Sequence, residues 1–295
     1  MYIFNFLNVL YSTIYSLGFY KNKTTINILD YDNNTDINPT IYYTRLPENY
    51  DKQILVYLSG ALEFRYTSYI DKTIQHMEKY NIPSFVYENT NKLMFICVDD
   101  IYNFIIYLTN KYVDKEIIIL GFSAGGIIAS HVIEKLLNIK NIKRFITYDS
   151  PYSLDKTIKS FINSYIRFDI FMAYYLNKIY IKLFKNVIHK FKFSYIDGYN
   201  FIYNTSKYVL PTRQYYDKIM NINFNLPYYI KMYNINSIKD PIADYTTNMK
   251  IINKNSHLID FEIYTVDNKN ISHCTDMFYS DNSNLIMKCL RDCSF

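Results

Sequence analysis

The sequence predicts an α/β fold with a mostly parallel sheet of about eight strands flanked by helices, and three observations carry that expectation. Short β-branched runs alternate with helical patterns along most of the chain, the arrangement of a sheet covered on both faces. One run, Glu116–Leu120, passes straight into the glycine-rich turn Gly121-Phe122-Ser123-Ala124-Gly125-Gly126 and then into a helical pattern. The chain of 295 residues shows no internal repeat and no Pro- or Ser-rich linker, so its length suffices for one large core.

Residues 1–22 form an apolar N-terminal segment, uncharged as far as Tyr20. It lacks the basic start and small-residue cleavage site of a signal peptide, and its Asn, Ser and Thr residues weaken it as a membrane span. It is either a docked amphipathic helix or a membrane anchor. If it anchors, Lys21 and Lys23 behind it leave the main domain, residues 23–295, in the cytosol.

Ile26–Leu29 and Ile41–Thr44 read as an opening antiparallel pair across an Asp/Asn-rich turn. Ile54–Leu58 is a continuous apolar strand that ends in Ser59-Gly60-Ala61. Ser84–Tyr87 follows a proline and supplies the fourth strand. Between Asp100 and Tyr112, Ile101, Phe104, Ile105 and Leu108 share one helical face. The Glu116 strand, its turn and the helix Ile127–Leu137 come next, then the strand Arg144–Tyr148, broken at Asp149-Ser150-Pro151. Tyr228–Tyr233 and Phe261–Val266 complete the sheet, and Leu285–Arg291 closes as a helix.

Ile, Asn, Lys and Tyr dominate the composition, with 34 Tyr, 20 Phe and no Trp. AT-rich codons encode that skew, so the Tyr and Asn excess says little about binding. The four cysteines have neither metal-ligand spacing nor the density of a disulfide scaffold, which points to a reducing, cytoplasmic compartment. Cys289 and Cys293 lie one helical turn apart, as two free thiols on one helix face would. Asn-x-Ser/Thr triplets occur at Asn22, Asn33, Asn204 and Asn270, as they do by chance in an Asn-rich chain.

Strand, Gly-x-Ser-x-Gly, helix is the context of a nucleophile elbow. The serine of such a turn sits at a strained backbone angle. Small neighbours, here Gly121 and Gly125, let strand and helix pass beside it. A serine hydroxyl is a poor nucleophile until a base takes its proton, so Ser123 needs a histidine. Of the five, His76 and His131 lie in helices, His189 falls in the long insertion, and His257 precedes the last strand. His273 alone follows that strand's carboxyl end, where the loops of such sheets converge. An acid must orient the imidazole. Asp240, before Pro241 in the loop after the seventh strand, is the first candidate; Asp244 and Asp149 are its rivals. A helix N-cap is the alternative use of all three, and Asp149 suits it well. The oxyanion needs two donors. The N–H of Ala124 supplies one at a helix N-terminus, and the N–H of Ala61 the other, where Gly60 lets the backbone turn.

The order Ser123, Asp240, His273 on successive strand ends resembles the α/β-hydrolase family, from about residue 24 to the C-terminus. The elbow is similar to the Gly-Asp-Ser-Ala-Gly-Gly of hormone-sensitive-lipase-like esterases. Phe122 replaces their Asp, and Leu58-Ser59-Gly60-Ala61 replaces their His-Gly-Gly-Gly loop. The resemblance implies hydrolysis of carboxylic esters with no metal or organic cofactor. Thioesterases, acyltransferases, peptidases and inactive members share the fold.

Residues 152–226 stand where that family places a cap or lid. They carry eleven Lys/Arg against four Asp, a net charge of +7 in a chain whose total is +5, so the remainder is about −2. Lys178, Lys182, Lys185, His189 and Lys192 recur at steps of four and three, one basic stripe on an otherwise apolar helix within 170–193. Such a helix either covers the active-site crevice or lies on an anionic lipid surface. Both uses expect a lipid or small apolar ester as substrate. The charge is local and no recognised nucleic-acid module accompanies it, so no nucleic-acid partner is expected.

Overall fold

The structure of the chain, a computed structural model, describes residues 26–29, 40–44, 52–60, 68–88, 98–162, 218–240, 242–267 and 283–291. The strands are β1 (Ile26–Leu29), β2 (Thr40–Thr44), β3 (Gln53–Leu58), β4 (Ser84–Glu88), β5 (Glu116–Phe122), β6 (Ile142–Tyr148), β7 (Lys231–Ser237) and β8 (Phe261–Val266). The helices are α1 (Ser68–Glu78), α2 (Val98–Lys111), α3 (Ala124–Lys135), α4 (Leu154–Ile162), α5 (Tyr245–Asn255) and α6 (Ser283–Arg291).

The strands form one sheet in the order β1-β2-β4-β3-β5-β6-β7-β8. β1 pairs antiparallel with β2, and β2 with β4; every pairing from β4 to β8 is parallel. The expected mostly parallel sheet flanked by helices, opened by an antiparallel pair, is therefore present. Parallel strands are covered on both faces and read as unbroken apolar runs instead of alternating ones. In β5 every residue from Ile117 to Phe122 is buried, and in β3 every residue from Ile54 to Leu58.

One strand starts later than expected. The apolar run Tyr228–Tyr233 predicts a strand from Tyr228, but β7 begins at Lys231. The Ile230 N–H donates to the Pro227 carbonyl at 2.9 Å, closing a turn that leaves Tyr228 92% exposed. A proline opening a tight turn outweighs the β-propensity of two tyrosines.

The chain divides into two compact units, residues 1–152 with 222–295, and residues 153–221. In the second unit the described residues hold α4, tied at its base by the Leu154 N–H to the Met220 carbonyl at 2.8 Å. Residues 163–217, with the basic stripe and His189, lie outside the described residues, as do residues 1–22 and Cys293. Cys289 on α6 is fully buried. No helix among the described residues is long and apolar enough to cross a membrane.

At the amino ends of the strands, a polar clamp holds α6. Arg144 at the start of β6 donates to the Leu290 carbonyl and pairs with Glu116 of β5, Nε to Oε1 at 3.3 Å. Gln53, the first residue of β3, donates to the same carbonyl at 3.0 Å. A cation at a helix C-terminus satisfies carbonyls that have no partner within the helix and meets the negative end of its dipole. Arg144 and Glu116 are only 13% and 17% exposed, so water cannot fully replace either. Arg144→Ala is expected to cost about 1–3 kcal/mol, read as a lower urea midpoint at unchanged slope. An unchanged midpoint would mean that the clamp contributes nothing.

Candidate active site

The parallel strands all end on one side of the sheet, and Ser123 stands there just past the end of β5, which lies between β3 and β6. Its backbone lies at φ 49°, ψ −130°, in a region that L-residues other than glycine seldom occupy. Ser123 is the N-cap of α3, yet its side chain makes no capping bond to the helix. The strained backbone angle expected at the serine is thus present.

What holds that angle is lack of room around it. A Cβ on Gly121 would stand 2.5 Å from the backbone of Gly126, and one on Gly125 would stand 2.2 Å from the Leu58 carbonyl oxygen. No real Cβ tolerates such contacts. The first turn of α3 therefore rests on the backbone of β5 and on the end of β3 at Leu58-Ser59. None of the glycines among the described residues has a positive φ, Gly60 included. The strained residue of the turn is Ser123 itself. Ala124 opens α3 and is 2% exposed; Ala61 lies outside the described residues.

Phe122, where similar elbows carry Asp, is fully buried between two rings on neighbouring strands. It stacks on Tyr57 of β3 with centroids 5.9 Å apart and planes 6° from parallel, and meets Tyr148 of β6 at 5.0 Å. Burial pushes the Tyr57 hydroxyl well above the ordinary tyrosine range, so it stays neutral. An aspartate at position 122 would be a charge in an aromatic stack, which explains the departure.

The acid candidates separate clearly. Asp240 is 4% exposed, and its Oδ1 accepts from the Ile242 N–H at 2.7 Å and the Ala243 N–H at 2.9 Å. Asp244 is exposed and caps α5, accepting from the Thr247 N–H at 2.7 Å. Asp149 is fully buried at φ 43°, and it caps no helix. Its Oδ1 accepts from the Ser237 N–H at 2.7 Å and its Oδ2 from the Ser237 hydroxyl at 3.1 Å. The N-cap use expected of Asp149 is corrected: Ser153 caps α4, its Oγ accepting from the Lys156 N–H at 3.4 Å.

Backbone hydrogen bonds stitch the strand ends in one line. The Ser123 N–H donates to Tyr148 on β6, the Asp149 N–H to Ile235 on β7, and the Ile238 N–H to Val266 on β8, all at 2.9–3.0 Å. The loop carrying Asp240 is thereby bound to the residue from which the chain leaves β8 toward His273. His273 itself lies outside the described residues. His257 is exposed and precedes β8, while His76 on α1 and His131 on α3 sit in helices.

A buried amide network supports the same loop and was not legible beforehand. Asn236 Nδ2 donates to the Ala243 carbonyl at 3.1 Å, and Asn248 of α5 donates to Asn236 Oδ1 at 2.6 Å and to the Ser150 carbonyl at 2.9 Å. Asn234 donates to the Tyr152 hydroxyl at 2.8 Å, which burial pushes above its ordinary range. The available signal was Asn234 and Asn236 inside a strand buried on both faces, and the Asn-rich composition concealed it. Among the described residues no three His, Cys, Asp or Glu side chains gather as a metal would require.

By sequence the chain matches no protein-family model and no curated protein. By structure it is similar to an esterase of Pyrococcus furiosus, with a TM-score of 0.60 and 14% identity over 93% of this chain and 94% of the other. It is also similar to an α/β-hydrolase enzyme from a lagoon-sediment metagenome (Mar Chica, Morocco), with a TM-score of 0.56 and 13% identity over 91% and 100%. An acylaminoacyl peptidase of Pyrococcus horikoshii matches at a TM-score of 0.56 and 15% identity, over 90% of this chain and 40% of that one. With this sheet order and elbow, the chain has the α/β-hydrolase fold.

Gly125→Ala tests the contact that sets the elbow. Its methyl has no space beside the Leu58 oxygen, so stability should fall by at least the ~1–3 kcal/mol typical of overpacking, seen as a lower melting temperature. A melting temperature equal to wild type would refute the close approach.

Proposed function

We propose that the protein is a serine hydrolase cleaving carboxylic esters of apolar acyl chains, an esterase or lipase acting through an acyl-enzyme. One observation carries this: Ser123 held at a strained angle on a central strand end, at the N-terminus of a helix. Strain of this kind persists only where the surroundings enforce it, and it clusters at active sites. The hydrolase fold and the names of the esterases it resembles add support.

In this mechanism His273 takes the proton of Ser123 Oγ as that oxygen attacks the ester carbonyl. The N–H groups of Ala124 and Ala61 receive the oxyanion, the first aided by the dipole of α3. His273 then passes the proton to the leaving alcohol, and water repeats the sequence to free the acid. Asp240 holds the imidazole tautomer and stabilises its charged form. Its burial, and the tie between its loop and the end of β8, favour it over the exposed Asp244, whose carboxylate is engaged in capping. The apolar substrate preference rests on the sequence of 170–193. That helix and residues 1–20 are the segments proposed to meet a lipid surface, with the protein otherwise cytoplasmic.

A fluorophosphonate probe tests the reaction class. Wild type should be labelled, and Ser123→Ala should lose all labelling while keeping its melting temperature. An unlabelled wild type would leave a non-catalytic relative of the fold. With p-nitrophenyl esters of increasing chain length, kcat/KM should rise beyond the acetyl ester. A maximum at acetyl would sink the lipase version, and faster turnover of an acyl-CoA thioester would replace ester hydrolysis with thioester chemistry.

A further inference from the structure

We infer that Asp149 is a positioning residue, whose buried carboxylate sets the place of Asp240 through Ser237. Asp149 has no exposed surface, although removing a carboxylate from water is costly unless its oxygens find donors. Both oxygens are used on one residue, Ser237, through its N–H and its hydroxyl. Ser237 ends β7, and its carbonyl in turn accepts from the Asp240 N–H at 3.1 Å. Asp149 is also tied to the nucleophile's side, since the preceding residue, Tyr148, accepts the Ser123 N–H at 3.0 Å. A single carboxylate thus spans the step from elbow to acid loop.

The backbone at Asp149 supports this role. Its φ of 43° is a conformation in which Asp and Asn are among the few tolerated side chains. The β6–β7 backbone bond from the Asp149 N–H to Ile235 holds the main chain without help from the side chain. What the carboxylate adds is control of Ser237, whose carbonyl also receives Asn236 Nδ2 at 3.1 Å. Two donors on that carbonyl and two acceptors from Asp149 leave Ser237 little freedom. Asp240, three residues on, inherits its position.

Positioning needs the shape of the hydrogen bonds and not their charge. An Asn at 149 can accept the Ser237 N–H through its Oδ1 and donate to the Ser237 hydroxyl through its Nδ2. A glycine removes both contacts while tolerating the positive φ, so the loss is not confounded by new backbone strain.

The proposal rests on Asp240 being the acid of the proposed triad, and a mutant cycle keeps the two apart. Activity is measured as kcat and KM on a p-nitrophenyl ester, per folded molecule by circular dichroism, for Asp149→Gly, Asp149→Asn, Asp240→Ala and the double variant Asp149→Gly/Asp240→Ala. The expected result has three parts. Asp149→Gly lowers kcat about tenfold or more at little-changed KM, Asp149→Asn recovers most of it, and Asp149→Gly costs less than about twofold once Asp240 is gone, because residues acting as a unit are non-additive. Full additivity with Asp240→Ala, or an Asn variant as poor as the Gly variant, overturns the positioning role. A double variant far less active than the product of the two single losses would make Asp149 a substitute acid and overturns it too. Should Asp149→Gly fail to fold, Asp149→Asn and Ser237→Ala carry the test: the first must keep kcat within a few-fold, and the second must lose activity only where Asp240 is present. If Asp240→Ala itself keeps full activity while Ser123→Ala has none, the acid assignment fails, whatever Asp149 does.

Discussion

The contact between Gly125 and the end of β3 is the constraint from which the site follows. With a Cβ excluded at 2.2 Å from the Leu58 oxygen, α3 must start directly above the sheet, and the chain has one residue in which to reverse from strand to helix. That residue is Ser123, and its positive φ is the geometric consequence. Strain of this kind costs on the order of 1–3 kcal/mol and survives only because packing over-determines it. The stack of Tyr57, Phe122 and Tyr148 beneath the elbow supplies such packing. The apolar residue at position 122 thus belongs to the mechanism that holds the serine up.

From the elbow the organisation spreads sideways. Parallel pairing brings successive strand ends level, and three backbone bonds continue the ladder just past the regular strands, from Ser123 to Tyr148, Asp149 to Ile235 and Ile238 to Val266. Polar side chains take over where the ladder stops. Asn236 holds the Ala243 carbonyl of the loop between β7 and α5, Asn248 holds Asn236, and Asp149 holds Ser237 where the loop begins. Satisfied buried networks of this kind specify one conformation because any slip leaves a polar group without a partner in a dry interior.

Much of the fold was legible from local pattern. The strands from β3 to β6 are short β-branched runs with no competing period, and the elbow was readable because glycine is scarce in this chain. Local pattern misled where a turn intervened, at Tyr228, because Pro227 closes a turn before the strand can start. Asp149 read as a cap because a cap and a cross-strand brace use the same residue type, and only the pairing of β6 with β7 tells them apart.

The sequence alone determined the class of fold, the serine at the turn and the order of the candidate acid and base, because these depend on periodicity and on residue types adjacent in the chain. Tertiary structure decided that Asp240 is buried while Asp244 caps a helix, that Phe122 belongs in an aromatic stack, and that Asp149 grips Ser237. Each of those depends on residues far apart in the chain that meet only when the sheet closes. No local pattern encodes which strand will lie beside which.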